Sequence, residues 1–120
     1  MLAAWSRPGT RSLMRFSGPL SDVLTTKTGF VIEVELPGVK KDAINIQCDN
    51  NTVHIEATKN EPYPKEWKKL HAERSFGPMK RRFQLPRSAD LSKIDAELAN
   101  GLLTLTVPRR DSQKFSVTIK

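Results

Sequence analysis

The sequence predicts an all-β fold, a sandwich of seven or eight short strands, on three observations. Asn100-Gly101 lies between two alternating apolar runs, the arrangement a type I′ hairpin selects because both central residues need positive φ. Further runs of period two are separated by the turn residues Pro37-Gly38, Asn50-Asn51 and Gly77-Pro78. No stretch carries a convincing helical spacing of apolar residues, and strands punctuated by turns in this way are the signature of a β-sandwich.

A two-residue loop also dictates register. With Asn100 and Gly101 as the loop, Ala99 faces Leu102, Leu98 faces Leu103, Ala96 faces Leu105 and Ile94 faces Val107. One face of this hairpin is apolar, and the other carries Glu97 against Thr104 and Asp95 against Thr106.

From Gly29, Phe30, Ile32, Val34 and Leu36 share a face, with Val31, Glu33 and Glu35 on the other, until Pro37-Gly38 ends the strand. A second hairpin turns at Asn50-Asn51, setting Cys48 opposite Val53, Ile46 opposite Ile55 and Ile44 opposite Ala57. Its phase predicts a small, buried Cys48 side chain.

Residues 59–69, KNEPYPKEWKK, lose the alternation and read as a long excursion with Tyr63 and Trp67 as the large apolar groups. Order is expected to resume at Leu70, Ala72, Arg74 and Phe76, to turn at Gly77-Pro78, and to return through Phe83 and Leu85.

The flanks differ from this body. Residues 1–21 form an expected flexible arm, punctuated by Ser, Pro and Gly yet holding Trp5, Leu13, Met14, Phe16 and Leu20. Residues 22–108 form the domain, and residues 109–120 an extension. Beyond a charged linker, Phe115, Val117 and Ile119 alternate, so an extended peptide there presents one apolar face.

Composition excludes several classes. At 120 residues there is room for one domain with a real core. The net charge of +7 is uneven: +3 over residues 1–21, −2 over 22–59, +4 over 60–82, −1 over 83–108 and +3 over 109–120. A single cysteine permits no internal disulfide and fits a reducing compartment. No run approaches the roughly 18 apolar residues of a membrane span. The first twenty residues lack the apolar core of a secretory signal, and Pro8-Gly9 interrupts the helix a transit peptide would need. The expectation is a soluble cytoplasmic protein with no membrane span.

Catalytic signatures are missing as well. The sequence holds no phosphate-binding loop, dinucleotide fingerprint, nucleophile elbow or metal-spaced His and Cys set, so neither an enzyme nor a cofactor or metal site is expected. His54 and His71 read as surface residues. Lys80, Arg81 and Arg82, with Arg74, Lys65, Lys68 and Lys69, suggest a phosphate-tracking patch. Glu61, Glu66 and Glu73 dilute that field and aromatic interleaving is thin, so specific nucleic-acid binding is not expected.

The run from Ala96 to Leu103, AELANGLL, followed by Thr104 to Pro108, resembles the A-x-x-x-N-G-x-L signature of the α-crystallin domain of small heat-shock proteins. Val34 to Val39 (VELPGV), Glu73 to Gly77 (ERSFG) and Arg82 to Pro86 (RFQLP) are similar to further family motifs, in the family's order. The resemblance covers roughly residues 21–108 and implies an immunoglobulin-like β-sandwich. Val117-Thr118-Ile119 is similar to the family's C-terminal I-x-I/V motif, which docks into a groove of a neighbouring subunit.

Carried onto this chain, the resemblance places that groove between the strand bearing Ile44 and Ile46 and the strand bearing Ile94, Ala96 and Leu98. Residues 59–69 resemble a loop that carries a strand exchanged between subunits, with Tyr63, Trp67, Leu70 and Arg74 at the dimer contact and Arg74 a candidate for an ion pair there. It implies an ATP-independent holdase of the stress response, built from dimers into oligomers. Partly unfolded clients would bind the arm through Trp5, Leu13, Met14 and Phe16. The alternatives are a monomeric co-chaperone or scaffold of the CS-domain type, and a basic binder of nucleic acid or anionic surfaces.

Overall fold

The computed structural model describes residues 18–111 and 116–120, which contain seven strands. These are β1 (Ser21–Thr25), β2 (Gly29–Glu35), β3 (Ile44–Asp49), β4 (Thr52–Lys59), β5 (Gly77–Gln84), β6 (Asp95–Ala99) and β7 (Leu102–Pro108). They form a four-stranded sheet in the order β1-β2-β7-β6 and a three-stranded sheet in the order β3-β4-β5. Every pairing is antiparallel.

Both hairpins take the register their turn residues require. Asn50 and Asn51 have φ of 46° and 57°, Asn100 and Gly101 have 53° and 76°, so all four central residues are left-handed. Cys48 pairs with Val53 and Ile44 with Ala57; Leu98 pairs with Leu103 and Ala96 with Leu105. Ile94 stands just before β6 and is half-buried against the core.

The inward rows of the sheets meet in one cluster. Ile32, Val34, Leu36, Val53, Ile55, Leu105 and Val107 are the large, fully buried side chains, and no buried polar or charged side chain interrupts them among the described residues. Each contributes about 1.5–3 kcal/mol on leaving water, which pins the register because a one-residue slip would turn the whole row outward.

Three expectations are corrected. The segment Leu70 to Phe76 forms no strand, and Gly77-Pro78 opens β5 instead of turning it. β5 is an edge, where a proline without an N–H costs little, and Leu70 to Phe76 has no strand beside it in this chain. Cys48 is exposed, although its phase matches buried neighbours, because β3 is an edge strand and nothing from the other sheet covers its end. β1 was not anticipated, since SDVLT has too short an alternation to separate from its surroundings.

The two ends of the sandwich are tied. At one, Pro37-Gly38 makes a turn in which the Val39 N–H donates to the Leu36 carbonyl at 3.2 Å and Gly38 takes φ +79°. At the other, Asn51 Nδ2 donates to the Pro86 carbonyl at 2.9 Å and the Asp90 N–H to the Pro108 carbonyl at 2.8 Å.

Candidate functional site

The edges are where the chain leaves main-chain groups open, and they pair off by side. Arg81 Nη1 donates to the Pro19 carbonyl at 3.0 Å, so the start of β1 lies against β5. The remaining edges, β3 and β6, therefore share the opposite side of the sandwich. Their ends match too. The Asn50-Asn51 turn lies with Pro86 and thus near Pro108 and the start of β6, whereas Ile44 follows the short turn leading from Leu36 and Pro37, which contact Gly101. β3 and β6 consequently run in opposite senses on that side of the sandwich.

On and beside these two edges Ile44, Ile46, Ile94 and Leu98 are half-buried against the core, while Ala96 and Cys48 are exposed. Burial and the charge of Asp49 hold the Cys48 thiol above its ordinary pKa. Val117 and Ile119 are 85% and 93% exposed, resting on nothing in their own domain.

The loop between β4 and β5 is built on aromatic contacts. Tyr63 stacks on Trp67 with centroids 6.2 Å apart and meets Phe76 edge-on at 5.9 Å. Arg74 Nη1 donates to the Tyr63 hydroxyl at 2.8 Å and the guanidinium lies 5.2 Å over Phe76. Lys69 pairs with Glu61 and also lies over Phe76. The loop lines an open cleft of about 410 Å³, and it projects Leu70 fully into solvent. Phe76 went unnoticed in the sequence as part of this cluster; its spacing from Tyr63 carries no local signal.

Charge separates the outer faces. Asp22, Glu33, Glu35, Asp95 and Glu97 all fall on the outward rows of the four-stranded sheet. The basic run is divided: Lys80 and Arg82 point outward, Lys80 toward Glu56 at 3.5 Å, while Arg81 takes the inward phase and lies 4.9 Å over Phe83. A continuous phosphate track is therefore broken at Arg81. The edge strand β1 bears Val23 and Leu24, and Leu20 stands just before it, each more than two-fifths exposed. Trp5, Leu13, Met14 and Phe16 lie outside the described residues. No group of three or more His, Cys, Asp or Glu is placed to hold a metal among the described residues, and none of the described helices is long and apolar enough to cross a membrane.

A two-sheet sandwich with Asn-Gly and Asn-Asn hairpins, paired open edges and an excursion between β4 and β5 is an α-crystallin domain. The small heat-shock protein from Xylella fastidiosa superposes with a TM-score of 0.76 at 27% identity, covering 85% of this chain and 95% of that one. The hspA structure from Xanthomonas axonopodis gives 0.71 at 32% identity, covering 77% and 93%. The small heat shock protein C2 of Rickettsia felis is 34% identical over 80% of this chain, and the 17.7 kDa class II heat shock protein of Arabidopsis thaliana 35% identical over 87%. The chain spans 63% of the first of these relatives and 69% of the second. The model of the Hsp20/alpha crystallin family matches residues 22–120, and the chain belongs to that family. Membership supports a chaperone role, the family being one of chaperones and not of enzymes.

Proposed function

We propose that this protein is an ATP-independent holdase of the cytoplasm, assembled from dimers into larger particles, that captures partly unfolded proteins and keeps them from aggregating. The observation that carries the reading is the pairing of an open groove with an unused ligand. The edges β3 and β6 offer Ile44, Ile46, Ile94, Ala96 and Leu98 on one side of the domain, and Val117 and Ile119 stand almost wholly in solvent. An extended peptide at such edges gains main-chain bonds while its alternate side chains fill pockets, and it covers edges that invite aggregation. Ten residues from Val107 to Val117 reach about 33 Å, enough to enter a neighbouring subunit.

In this reading the loop bearing Tyr63, Trp67, Leu70 and Arg74 makes the dimer, its exposed apolar groups covered by the partner and the open edge β1 available to receive an exchanged strand. The arm of residues 1–21 supplies Trp5, Leu13, Met14 and Phe16 to clients, the domain spans 22–108, and residues 109–120 form the linking extension. No nucleotide is needed, because binding the unfolded form lowers its free concentration by mass action.

Light scattering of a heat-labile protein with and without a molar excess of this chain tests the proposal. Suppressed scattering that persists without nucleotide is expected; an unchanged aggregation curve overturns it.

A further inference from the structure

We infer that Lys59 and Arg74 together hold a phosphate-type dianion, free or as the head of a small phosphomonoester, beside the Pro37-Gly38 turn. The site lies within one chain, and it rests neither on the holdase reading nor on the dimer.

Lys59 breaks the pattern of its own strand. β4 sends Val53, Ile55 and Ala57 into the core, and Lys59 follows on the same row, so the last inward position of the strand is a cation. It is half-buried, with its ammonium 5.7 Å from the centre of the Phe76 ring. A ring face attracts a cation without cancelling its charge. Among the described residues Lys59 makes no ion pair.

Arg74 reaches the same place from the loop. Its guanidinium lies 5.2 Å from the Phe76 ring centre, and its Nη1 is spent on the Tyr63 hydroxyl at 2.8 Å. Nη2 is left over. It stands 4.0 Å from the point that a Cβ on Gly38 would occupy, and Lys59 Nζ stands 3.8 Å from that same point. The two nitrogens are therefore no further apart than the sum of those distances. Gly38 is exposed and places no side chain between them, which leaves the approach from solvent open.

Charge balance names the ligand. Lys69 also lies over Phe76, at 5.4 Å, but Glu61 neutralises it, and the loop's Glu73 is paired with His71. Arg74, like Lys59, makes no ion pair among the described residues. Two positive charges are thus left uncompensated at one spot. A phosphate monoester carries about −1.5 to −2 near neutral pH, whereas a carboxylate carries a single charge. Charge-assisted bonds of about 2.7–2.9 Å from the two nitrogens can end on different oxygens of one tetrahedral group. The guanidinium fixes the direction of its bond, and the ammonium on its flexible stem turns to meet the anion.

Isothermal titration calorimetry on the full chain tests the site, with ionic strength held constant by sodium chloride. Inorganic phosphate and glycerol phosphate are titrated separately, and acetate serves as the singly charged comparison. Saturable binding of at least one of the two phosphates, one per chain, is expected, with acetate at least tenfold weaker; the tighter phosphate identifies the source. Lys59→Gln and Arg74→Gln should each weaken binding at least fivefold, with urea midpoints close to that of the parent chain. Lys93→Gln removes the same charge at the opposite end of the sandwich, where Lys93 bonds back to Asp90, and should leave binding unchanged. No saturation with either phosphate overturns the inference, as does equal weakening by Lys93→Gln or acetate binding as tight as phosphate. If Lys59→Gln lowers the native mass while neither phosphate binds, the cation pair serves a contact between copies and the anion site falls. Loss of the site leaves the holdase reading standing, because suppression of aggregation is measured without phosphate.

Discussion

The Leu36 N–H donates to the Gly101 carbonyl at 2.7 Å, joining the end of β2 to the turn between β6 and β7. Gly101 takes φ +76°, and a Cβ there would stand 3.1 Å from the Pro37 Cα. Two turns 63 residues apart in sequence, Pro37-Gly38 and Asn100-Gly101, thus form one corner, at the end of β6 that holds Leu98.

Gly101→Ala is expected to destabilise the domain by about 1–3 kcal/mol, through backbone strain at positive φ and crowding against Pro37. Urea denaturation should show a lower midpoint with an unchanged slope. A wild-type midpoint would mean that the corner yields freely.

Replacing Val117 and Ile119 by alanine removes two almost fully exposed side chains, so the domain should unfold at its usual denaturant concentration. Native mass spectrometry should show the particle reduced to dimers. An unfolding midpoint that falls with the mass would show instead that the extension supports its own domain.

Arg74→Ala removes both the hydrogen bond to Tyr63 and the cation over Phe76, whereas Tyr63→Phe removes the hydrogen bond alone. Arg74→Ala is expected to weaken the dimer and shift the emission of Trp67, which stacks on Tyr63. Tyr63→Phe should cost about 0.5–1.5 kcal/mol or less, because its bond is exposed to water. Equal effects of the two would assign the whole role of Arg74 to the hydroxyl contact.

Asp90 accepts from the Ser92 N–H at 3.2 Å and from its hydroxyl at 2.6 Å, which holds its carboxyl below the ordinary value of 3.8. Nearby Arg110 and Lys93 act in the same direction. A depressed folded value means the contribution is complete above about pH 3.8 and fades as pH falls through the lower folded value. Wild-type and Asp90→Asn stabilities, followed by urea titration from pH 6 downward, should therefore converge in that acid window. A constant difference across it would show that the charged form is not preferred in the fold.

Much of the fold was legible from local rules. Asn50-Asn51 and Asn100-Gly101 announce their turns because few residues accept positive φ, and each turn then counts out the partners of its strands. Phe30 to Leu36 declares its buried face by alternation alone. Where two requirements competed, local reading failed. Gly77-Pro78 has the chemistry of a turn, yet edge position let β5 begin there. Cys48 has the phase of a core residue, yet lies where the opposing sheet does not reach. Arg81 belongs to a basic run, yet points inward and bonds the Pro19 carbonyl.

The amino-acid sequence by itself determined the strand rows, the hairpin registers and the family, since each depends on residues a few positions apart. Tertiary structure alone decided which edges stand side by side and in what sense they run. That follows from how two sheets stack, through contacts such as Arg81 to Pro19 and Asn51 to Pro86 that bridge 62 and 35 residues. It set the edge β3 on the same side as the edge β6, because neighbours across a sandwich are chosen by closure of the core and not by proximity along the chain.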